Sequence, residues 1–395
     1  MSVSPIHVLH PITRLIVGGA QENTLYTAAR LDPSRYSVTV VCGPQTGSEG
    51  SLHAEAKDLG VRLVVLPSLV REISPWKDIL ALWGLYRLIK KGKFGIVHTH
   101  SSKAGLLGRM AAWLAGVPII IHTVHGWSFH ERMGKLRRQL FILLERIVAW
   151  LSDALIVVAT RDREKGLAAG IGTPAQYHRV RSAIPLEAFK PGEVDCWAVR
   201  KELDIPAEAL VVGNVGRLSP QKNPLDWVRI AAMVHQSEPG SWFLLVGDGP
   251  LRSEFERLAA QVGIDDHLVL TGLRRDVDRM MAAMDVFLLT SLWEGLPRVL
   301  PQAFAMGIPV VCYGVDGTLE AVEPGVNGLL NEPGDLDKMT QDCLNLLRNP
   351  DLRQQMGVQG QRVASQEFDL RVMIEQIETI YEDLLWEKGL SVGHE

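Results

Sequence analysis

A strand, a loop and the start of a helix stand together at residues 210–224, LVVGNVGRLSPQKNP, and this stretch decides the fold class. The apolar-rich residues 210–215 predict a buried strand, and a helix is predicted from about Pro224 onward. Between them lie Arg217 and Lys222, at the end of the strand and just ahead of the helix. Two cations beside a helix N-terminus can hold a diphosphate, because the charges and the free N–H groups both attract phosphate oxygens. An exposed Arg/Lys pair in a polar loop is the commoner occurrence, so it is the position at a strand end that favours a phosphate site.

The same alternation of short Val- and Ile-rich strands with longer helical patterns extends over the whole chain. Strands are predicted at 6–10, 37–42, 63–66, 96–100, 119–123 and 155–158, and again at 210–215, 242–246, 268–270, 286–289 and 310–312. Strands that alternate with helices predict parallel sheets covered on both faces. We therefore expect an α/β protein of two doubly wound domains, 1–190 and 191–369, whose strand ends face a central cleft. Residues 370–395 hold a long amphipathic helix without a following strand, and we expect this helix to cross back to the first domain.

The composition is ordinary for a packed protein of two domains, with 395 residues, 47% hydrophobic and 22% charged. The four cysteines stand far apart without C-x-x-C spacing, which argues against a disulfide framework and fits a reducing compartment. The first residues lack a secretory pattern, and charged residues interrupt the two longest apolar stretches, 104–121 and 140–159. We expect a cytoplasmic protein without a membrane-spanning helix.

Charge is divided unevenly between the two halves of the chain. Up to residue 190 there are 24 Lys and Arg against 13 Asp and Glu, and beyond it there are 17 against 32. Such an asymmetry suggests that the two domains meet different partners. Nucleic acid is not expected among them, since no zinc-finger spacing, RNP-like motif or basic heptad region occurs. The stretch 133–151, MGKLRRQLFILLERIVAWL, predicts an amphipathic helix; packing on its own domain is the simpler interpretation, and attachment to an anionic membrane is the second.

Small and acidic residues mark two further predicted strand ends. Gly18 and Gly19 precede a helix and would let a phosphate or sugar approach the backbone closely. Glu294 lies in SLWEGLP, residues 291–297, between a strand and a helix. Its carboxylate can accept hydrogen bonds from sugar hydroxyls, while the backbone of residues 295–297 can hold phosphate. A turn glycine and a solvated glutamate are the ordinary alternatives, so the combination matters more than either residue.

Histidines mark two more strand ends in the first half. His98, His100 and Lys103 belong to one of them, and His125 belongs to the next. We interpret these side chains as polar substrate contacts, with packing in the core as the alternative. No third or fourth ligand at a metal-like spacing accompanies His98 and His100, so no metal site is predicted.

Several enzyme classes are disfavoured by the motifs that are missing. The sequence contains neither the G-x-G-x-x-G dinucleotide pattern nor the phosphate-binding G-x-x-x-x-G-K-[ST] pattern. G-x-S-x-G and H-E-x-x-H are also absent, which weakens interpretations as a hydrolase.

The motifs together resemble those of a family 4 retaining glycosyltransferase. They are, in chain order, Gly18-Gly19, His98-x-His100 with Lys103, His125-Gly126, Gly216-Arg217 with Lys222, and Glu294-Gly295-Leu296-Pro297. Each motif is weak alone, but five in matching order between about residues 8 and 330 are specific. The resemblance implies the GT-B fold, in which two Rossmann-like domains bind a nucleotide-sugar donor mainly through the second domain and the acceptor through the first. It also implies that no divalent metal or other cofactor is required.

The resemblance assigns a role to each matching residue. Arg217 and Lys222 would neutralise the donor diphosphate as the sugar leaves, and this charge grows in the transition state. His125 would contact the donor sugar near the reacting carbon, and Glu294 would bind the sugar hydroxyls. The other donor contacts would come from Gly18, Gly19, Gly272, Leu273, Gly295, Leu296 and Pro297. Retention would proceed by front-face attack with the leaving phosphate accepting the acceptor's proton, so no protein general base is expected.

One position departs from the family pattern. A second glutamate commonly follows eight residues after the first and binds the donor ribose, but here that residue is Gln302. An amide still accepts hydrogen bonds, although without the charge assistance of a carboxylate. We expect donor binding to survive, weakened at the ribose.

The acceptor is indicated only by charge and by the amphipathic helix. His100, Lys103 and Arg109 lie at or beside a helix start in the basic half, and we expect them to bind the acceptor. The expected function is transfer of a hexosyl or N-acetylhexosaminyl group from a UDP- or GDP-sugar to a saccharide, lipid-linked, in cell-surface polysaccharide or glycan synthesis. An anionic membrane surface is then a further partner. A nucleotide-sugar 2-epimerase of similar fold and a non-catalytic nucleotide-sugar-binding protein remain as alternatives.

Overall fold

The structure is a computed structural model that describes residues 5–45, 50–130 and 133–390. The chain divides into two compact units, Met1–Ser182 with Arg371–Glu395, and Ala183–Leu370. Each unit is built on one parallel sheet with helices packed on its faces. The predicted α/β class with two Rossmann-like units is therefore confirmed, and the N-terminal segment of the first unit ends at Ser182, where the sequence suggested a boundary near 190.

The first unit contains a seven-stranded sheet in the order β3-β2-β1-β4-β5-β6-β7. Its strands are β1 (Ile6–Pro11), β2 (Tyr36–Cys42), β3 (Arg62–Val65), β4 (Ile96–His100), β5 (Ile119–Val124), β6 (Ala154–Val157) and β7 (Tyr177–Arg179). Its helices before the second unit are α1 (Gly19–Arg30), α2 (His53–Asp58), α3 (Pro75–Gly92), α4 (Ser102–Ala115), α5 (Lys135–Ala149) and α6 (Thr160–Ala168). Strand β7 and helix α6 were not predicted, because three residues are too few to show a periodicity and residues 160–168 are mostly polar.

The second unit contains a six-stranded parallel sheet in the order β10-β9-β8-β11-β12-β13. Its strands are β8 (Leu210–Val215), β9 (Ser241–Val246), β10 (Leu268–Gly272), β11 (Val286–Leu289), β12 (Val310–Tyr313) and β13 (Gly328–Asn331). Its helices are α7 (Cys196–Glu202), α8 (Pro224–Ser237), α9 (Arg252–Val262), α10 (Val277–Ala282), α11 (Val299–Ala305), α12 (Thr318–Ala321), α13 (Leu336–Arg348) and α14 (Pro350–Glu367). Five of its six strands match the predicted ones, and β13 was missed.

The last helix, α15 (Leu370–Glu387), belongs to the first unit although it follows the second along the chain. The hydroxyl of Tyr381 on this helix lies 2.6 Å from Nδ1 of His98 on β4. Tyr381 is fully buried, and its ring also meets the edge of the Tyr36 ring. Helix α15 therefore covers part of the sheet.

The two faces of the first sheet have different coverings. Leu9, Val97 and Ile120 point toward α3 and α4, with which they form one apolar cluster. Side chains alternate across a strand, so His10, His98 and His100 lie on the opposite face, where Tyr381 contacts His98. The histidines described below therefore lie on the face of the sheet that α15 covers.

Candidate active site

Both sheets reverse their strand order once, and the loops beside that point hold most of the predicted site residues. In the second unit the reversal lies between β8 and β11. Ligands of such sheets bind beyond the carboxyl ends of the strands at this point, because the two loops turn away from each other and leave a crevice. The loop after β8 contains Arg217 and Lys222, and the loop after β11 contains Glu294.

An ion pair joins the two loops. Nζ of Lys222 contacts Oε1 of Glu294, with side chains that are 22% and 8% exposed. The amide of Gln221 donates to the carbonyl oxygen of Trp293 at 2.9 Å, and the amide N–H of Leu292 donates to the carbonyl oxygen of Gln221 at 2.8 Å. The cation and the carboxylate predicted from separate motifs are thus brought together.

The backbone of the Glu294 loop is held from its other side by the loop that contains Asp316. The amide N–H of Glu294 donates to Oδ2 of Asp316 at 2.9 Å. Asp316 has a φ of 44°, a left-handed conformation that costs energy for a residue with a side chain. At the next residue, Gly317, an added Cβ would lie 1.9 Å from the carbonyl oxygen of Gly295, so only glycine permits this approach.

The loop after β8 is supported in a similar way. An added Cβ at Gly247 would lie 2.0 Å from the carbonyl oxygen of Gly216, and the amide N–H of Leu218 donates to the carbonyl oxygen of Asp248 at 3.1 Å. Leu218 is buried while Arg217 beside it is exposed. The loop is therefore fixed by its apolar residue and presents its guanidinium outward.

The remaining predicted donor contacts of this unit occupy three places. Gly272 ends β10 with a φ of 69°, and the next residue, Leu273, is 44% exposed. Gly295, Leu296 and Pro297 are buried between β11 and α11. Gln302 lies on α11 and is 8% exposed.

In the first unit the order reverses between β1 and β4, and the loops after these strands are tied together. The hydroxyl of Thr13 lies 2.8 Å from the hydroxyl of Ser101 and accepts a hydrogen bond from the amide N–H of Ala104 at 3.1 Å. Gly18 precedes α1, which begins at Gly19, and its carbonyl oxygen accepts from the amide N–H of Glu22 at 2.9 Å. The predicted glycine pair therefore lies at the N-terminus of a twelve-residue helix.

Histidines from three neighbouring strands meet on the face of the sheet that α15 covers. Nδ1 of His10 lies 2.9 Å from Nε2 of His100, and Nδ1 of His100 lies 3.1 Å from Nε2 of His125. His98 is held on both sides, by Tyr381 and by the hydroxyl of Thr123, each at 2.6 Å. Burial lowers the pKa of His10 to about 3 and keeps the pKa values of His98 and His100 well below that of free histidine. These imidazoles are therefore neutral at pH 7.

Two of the three residues expected to bind the acceptor are in the interior. His100 is 1% exposed, and both of its ring nitrogens face other histidines. Arg109 is fully buried, where Nη2 lies 2.7 Å from Oε2 of Glu145 on α5. The structure thus gives both residues internal partners and does not support the expectation that they touch the acceptor. His100 is turned inward by the alternation of faces along β4, and Arg109 lies on the buried side of α4 among apolar neighbours.

Lys103, the third, lies at the start of α4. Its ammonium is 2.5 Å from Oδ1 of Asp78 on α3 and also contacts the carbonyl oxygen of Glu72. The side chain is 14% exposed. Its contacts within the described residues are structural.

Sequence reasoning missed two residues that the structure brings to these sites. Asp316 carried no motif, and only its place after a predicted strand was a signal. His10 is the only strongly polar residue near the end of an apolar strand, and that pattern was a usable signal. Spacing along the chain does not bring His10 near His98 and His100, whereas in the sheet β1 and β4 are adjacent.

Helices α3, α4 and α5 pack side by side, and each exposes large apolar side chains to solvent. We call this surface the α3–α5 face; its exposed members are Trp76, Ile79, Leu80, Trp83, Trp113, Leu114, Leu136, Leu140, Leu143, Ile147 and Trp150. The last five of these residues, from Leu136 to Trp150, are spaced alternately by four and three positions, which places them in one stripe along α5. Helix α5 packs on its own unit, as the simpler interpretation has it, through the buried Ile142, Val148 and Ala149, while Leu136 is 90% and Trp150 83% exposed. Among the described residues no helix is long and apolar enough to cross a membrane.

Comparison with known proteins identifies the family. The model "Glycosyl transferase 4-like domain" matches residues 18–182, and the model "Glycosyl transferases group 1" matches residues 195–363. The UDP-Gal:alpha-D-GlcNAc-diphosphoundecaprenol alpha-1,3-galactosyltransferase of Escherichia coli is 34% identical over 85% of this chain and 86% of its own length. The chain belongs to the group 1 glycosyltransferases. Putative glycosyltransferase EpsF of Bacillus subtilis is 28% identical over 82% of this chain and 83% of its own.

Solved structures of glycosyltransferases have the same fold. Anabaena HepE in complex with UDP and glucose superposes with a TM-score of 0.84, at 21% identity over 96% of this chain and all of its own. WaaG, a glycosyltransferase involved in lipopolysaccharide biosynthesis, superposes with a TM-score of 0.76 at 17% identity over 94% of this chain and 99% of its own. The expected GT-B class is thus confirmed, and the epimerase and the non-catalytic binding protein are not favoured.

Proposed function

We propose that this glycosyltransferase moves a hexosyl or N-acetylhexosaminyl group from a UDP-sugar to a lipid-linked saccharide at an anionic membrane surface. The configuration at the transferred carbon is retained and no divalent metal takes part. The observation that supports the donor most directly is the Lys222–Glu294 pair, which stands with Arg217 at the strand-order reversal of the second sheet.

The two cations provide what a departing diphosphate needs. Negative charge grows on the phosphate oxygen as the bond from the sugar carbon breaks, so fixed cations stabilise the transition state more than the ground state. An ammonium has three N–H donors, so Lys222 can keep Glu294 and still bind a phosphate oxygen. Glu294, whose carboxylate is held by Lys222 and whose backbone N–H is held by Asp316, accepts hydrogen bonds from sugar hydroxyls.

Retention fits a site without a dedicated base. The acceptor oxygen forms its bond to the sugar carbon on the face from which the phosphate leaves, and the acceptor's hydroxyl proton passes to a phosphate oxygen. Atoms and charge then balance between sugar, phosphate and acceptor. Glu294 is bound to a lysine and serves sugar binding in this scheme.

The uridine nucleotide is proposed over guanosine because of the relatives. The Escherichia coli relative is named for UDP-Gal, and solved structural neighbours are complexes with UDP and with UDP-glucose. Its name also gives a diphosphoundecaprenol acceptor, which supports a lipid-linked acceptor here.

The α3–α5 face supports the membrane part of the proposal. Clusters of exposed apolar side chains mark interaction surfaces. Tryptophan favours the boundary between lipid headgroups and acyl chains. Helix α3 also exposes basic residues, among them Arg87, Lys90 and Lys91, which line a shallow depression at its end. Long basic side chains can lay their methylenes on the apolar surface while their charges meet anionic headgroups. The face therefore suits an anionic bilayer better than another protein.

A donor screen tests the first half of the proposal. The purified chain is incubated with UDP-, GDP- and ADP-sugars in the presence of EDTA, and thermal shift and slow donor hydrolysis are measured. We expect one UDP-sugar to stabilise the chain, and Arg217→Ala and Lys222→Ala to abolish the shift. Lys201→Ala, an exposed cation on α7 of the same unit, is the matched control and retains it. Failure of all UDP-sugars, or conversion of one to an epimer, refutes the proposal.

A vesicle assay tests the second half. Covering a mostly exposed tryptophan removes about 100–175 Å² of its surface from water, which is worth roughly 3 kcal/mol at 25 cal/mol per Å². Trp150→Ser should therefore weaken co-sedimentation with anionic vesicles at least tenfold. Trp386→Ser is the control, because Trp386 is 75% exposed on α15, outside this face. Equal loss in both variants, no binding by the wild type, or full activity on a lipid-free acceptor contradicts the proposal.

A further inference from the structure

The three imidazoles of His10, His100 and His125 are joined end to end. The ring centroids of His10 and His100 are 5.2 Å apart and their planes differ by 15°; those of His100 and His125 are 5.4 Å apart and differ by 27°. The bonded nitrogens are 2.9 Å apart in the first pair and 3.1 Å apart in the second. At these nitrogen–nitrogen distances, ring centroids can be this far apart only when both nitrogens lie close to the line that joins the centroids. The rings are therefore nearly coplanar and in line, which is the geometry of hydrogen bonds between nitrogens in the ring plane.

This geometry differs from that of a metal centre, although His10, His98 and His100 have ring nitrogens within 4.8 Å of one another. Ligand lone pairs must converge on one ion, whereas the nitrogens of His10 and His100 point at each other. Both nitrogens of His98 are already engaged by Tyr381 and Thr123. The cluster is thus a hydrogen-bonded chain.

Neutral imidazoles make such a chain directional. Each has one N–H donor and one acceptor nitrogen, so every hydrogen bond in the chain must run in the same direction. His10 and His100 are at most 1% exposed, and burial keeps the pKa of each far below 7. The tautomer of one ring then determines the tautomer of the next.

His10, at the buried end of the hydrogen-bonded histidines, determines the direction in which the hydrogen bonds run. Nε2 of His10 is buried and has no hydrogen-bond partner among the residues that the structure describes. A buried N–H without an acceptor is rarer and costlier than an acceptor without a donor. The proton of His10 is therefore on Nδ1, which donates to His100, and His100 donates in turn from Nδ1 to Nε2 of His125. His125, half-buried at the end of β5, must carry its own proton on Nδ1.

We propose that His10 and His100 are positioning residues that hold His125 as a neutral Nδ1–H donor toward a substrate oxygen. The role of His125 at the substrate rests on the proposed function, whereas its tautomer does not. A donor at this position binds a sugar hydroxyl or a phosphate oxygen, and the opposite tautomer would turn a lone pair toward it. A solvated imidazole populates both tautomers, whereas the hydrogen-bonded histidines restrict His125 to one of them.

Long-range ¹H–¹⁵N spectra of the full chain labelled with ¹⁵N-histidine test the proposal, with His125 assigned by its loss in His125→Asn. We expect the Nδ1–H tautomer at His10, His100 and His125 in the wild type. In His100→Asn the amide can still donate from the position of Nδ1, so His125 keeps its tautomer. In His100→Leu, which has nearly the same shape, His125 should shift toward the Nε2–H form.

Kinetics with the donor identified by the screen provide the second measurement. We expect His100→Leu to lower kcat about 10- to 100-fold, the range found for residues that orient metal-binding histidines, with partial recovery in His100→Asn. His7→Asn, an exposed histidine on β1, is the control.

The outcomes separate this inference from the proposed function. An Nε2–H tautomer at His125 in the wild type, or one that His100→Leu does not change, overturns the inference; so does stoichiometric binding of Zn²⁺ that shifts the signals of His10 and His100. If His100→Leu fails to fold, the wild-type tautomers still decide. If no donor binds, the proposed function fails while the tautomers remain a valid result.

Discussion

The buried ion pair between α4 and α5 offers a sharp test of what Arg109 does. Glu145→Leu, Arg109→Met and the double variant separate a structural role from contact with the acceptor. Arg109 is fully buried, its Nη2 lies 2.7 Å from Oε2 of Glu145, and its Nε donates to the carbonyl oxygen of Gly105 at 2.8 Å. The guanidinium therefore depends on Glu145 for its only carboxylate partner among the described ion pairs.

The expected magnitudes follow from this burial. Removing one partner of a buried pair costs about 3–5 kcal/mol, while replacing both by apolar residues of similar volume is often neutral or stabilising. Since about 1 kcal/mol shifts Tm by 2–4 °C in a unit of this size, a single variant should lose roughly 6–20 °C. Glu145→Leu should be the worse of the two, because an arginine cannot lose its proton whereas an unpaired glutamate can gain one. The double variant should melt close to the wild type.

Thermal unfolding followed by circular dichroism measures these shifts, and transferase activity is then assayed well below the lowest Tm. We expect the double variant to be active. A double variant that is stable but inactive would restore Arg109 to the acceptor site. Single variants within 2 °C of the wild type would show that the pair contributes little to the fold.

Three further outcomes are expected. Lys222→Met should lower kcat by about 10²–10³, because it removes a charge that stabilises the departing diphosphate. Glu294→Gln should mainly raise the KM for the donor. A rate of donor hydrolysis that Lys222→Met leaves unchanged would contradict the role of Lys222. Gln302→Glu should bind the donor equally well or better, measured as KM, and a marked rise in KM would mean that glutamine is specifically required. Burial lowers the pKa of His10 to about 3 and those of His98, His100 and His122 well below 6.5, so below pH 6.5 the unfolded chain takes up protons that the folded chain does not. Stability is complete above that pH and should fall by up to about 1.4 kcal/mol per pH unit for each histidine as the solution is acidified; a Tm that is constant from pH 7 to 5 would refute this.

Much of the fold could be predicted because parallel strands have a local signature. Residues 210–215 and 286–289 were predicted to the residue, since each is an apolar run followed by a turn. Strands β7 and β13, at the edges of the two sheets, are short and showed no such run. The loops that contain Arg217, Lys222 and Glu294 could also be predicted, because each directly follows a strand that the sequence identifies.

The first unit was harder to predict because its polar residues face each other across strands. That His10 lies beside His100 depends on the pairing of β1 with β4, two strands separated by 84 residues between Pro11 and Ile96. The inward direction of Arg109 and the outward direction of Leu136 depend on which side of each helix meets the sheet. Periodicity marks an apolar stripe but does not say which neighbour covers it.

Helix α15 has a consequence for how the molecule is made. The first unit begins at the N-terminus, yet Tyr381, which closes over His98, is synthesised only after all of Ala183–Leu370. At 5–20 residues per second this is a wait of roughly 10–40 s, during which the first sheet lacks one of its covering helices. The second unit is continuous along the chain and can complete itself on the ribosome. Ribosome-bound chains from which residue 370, but not Tyr381, has emerged should therefore protect the second unit from proteolysis more completely than the first.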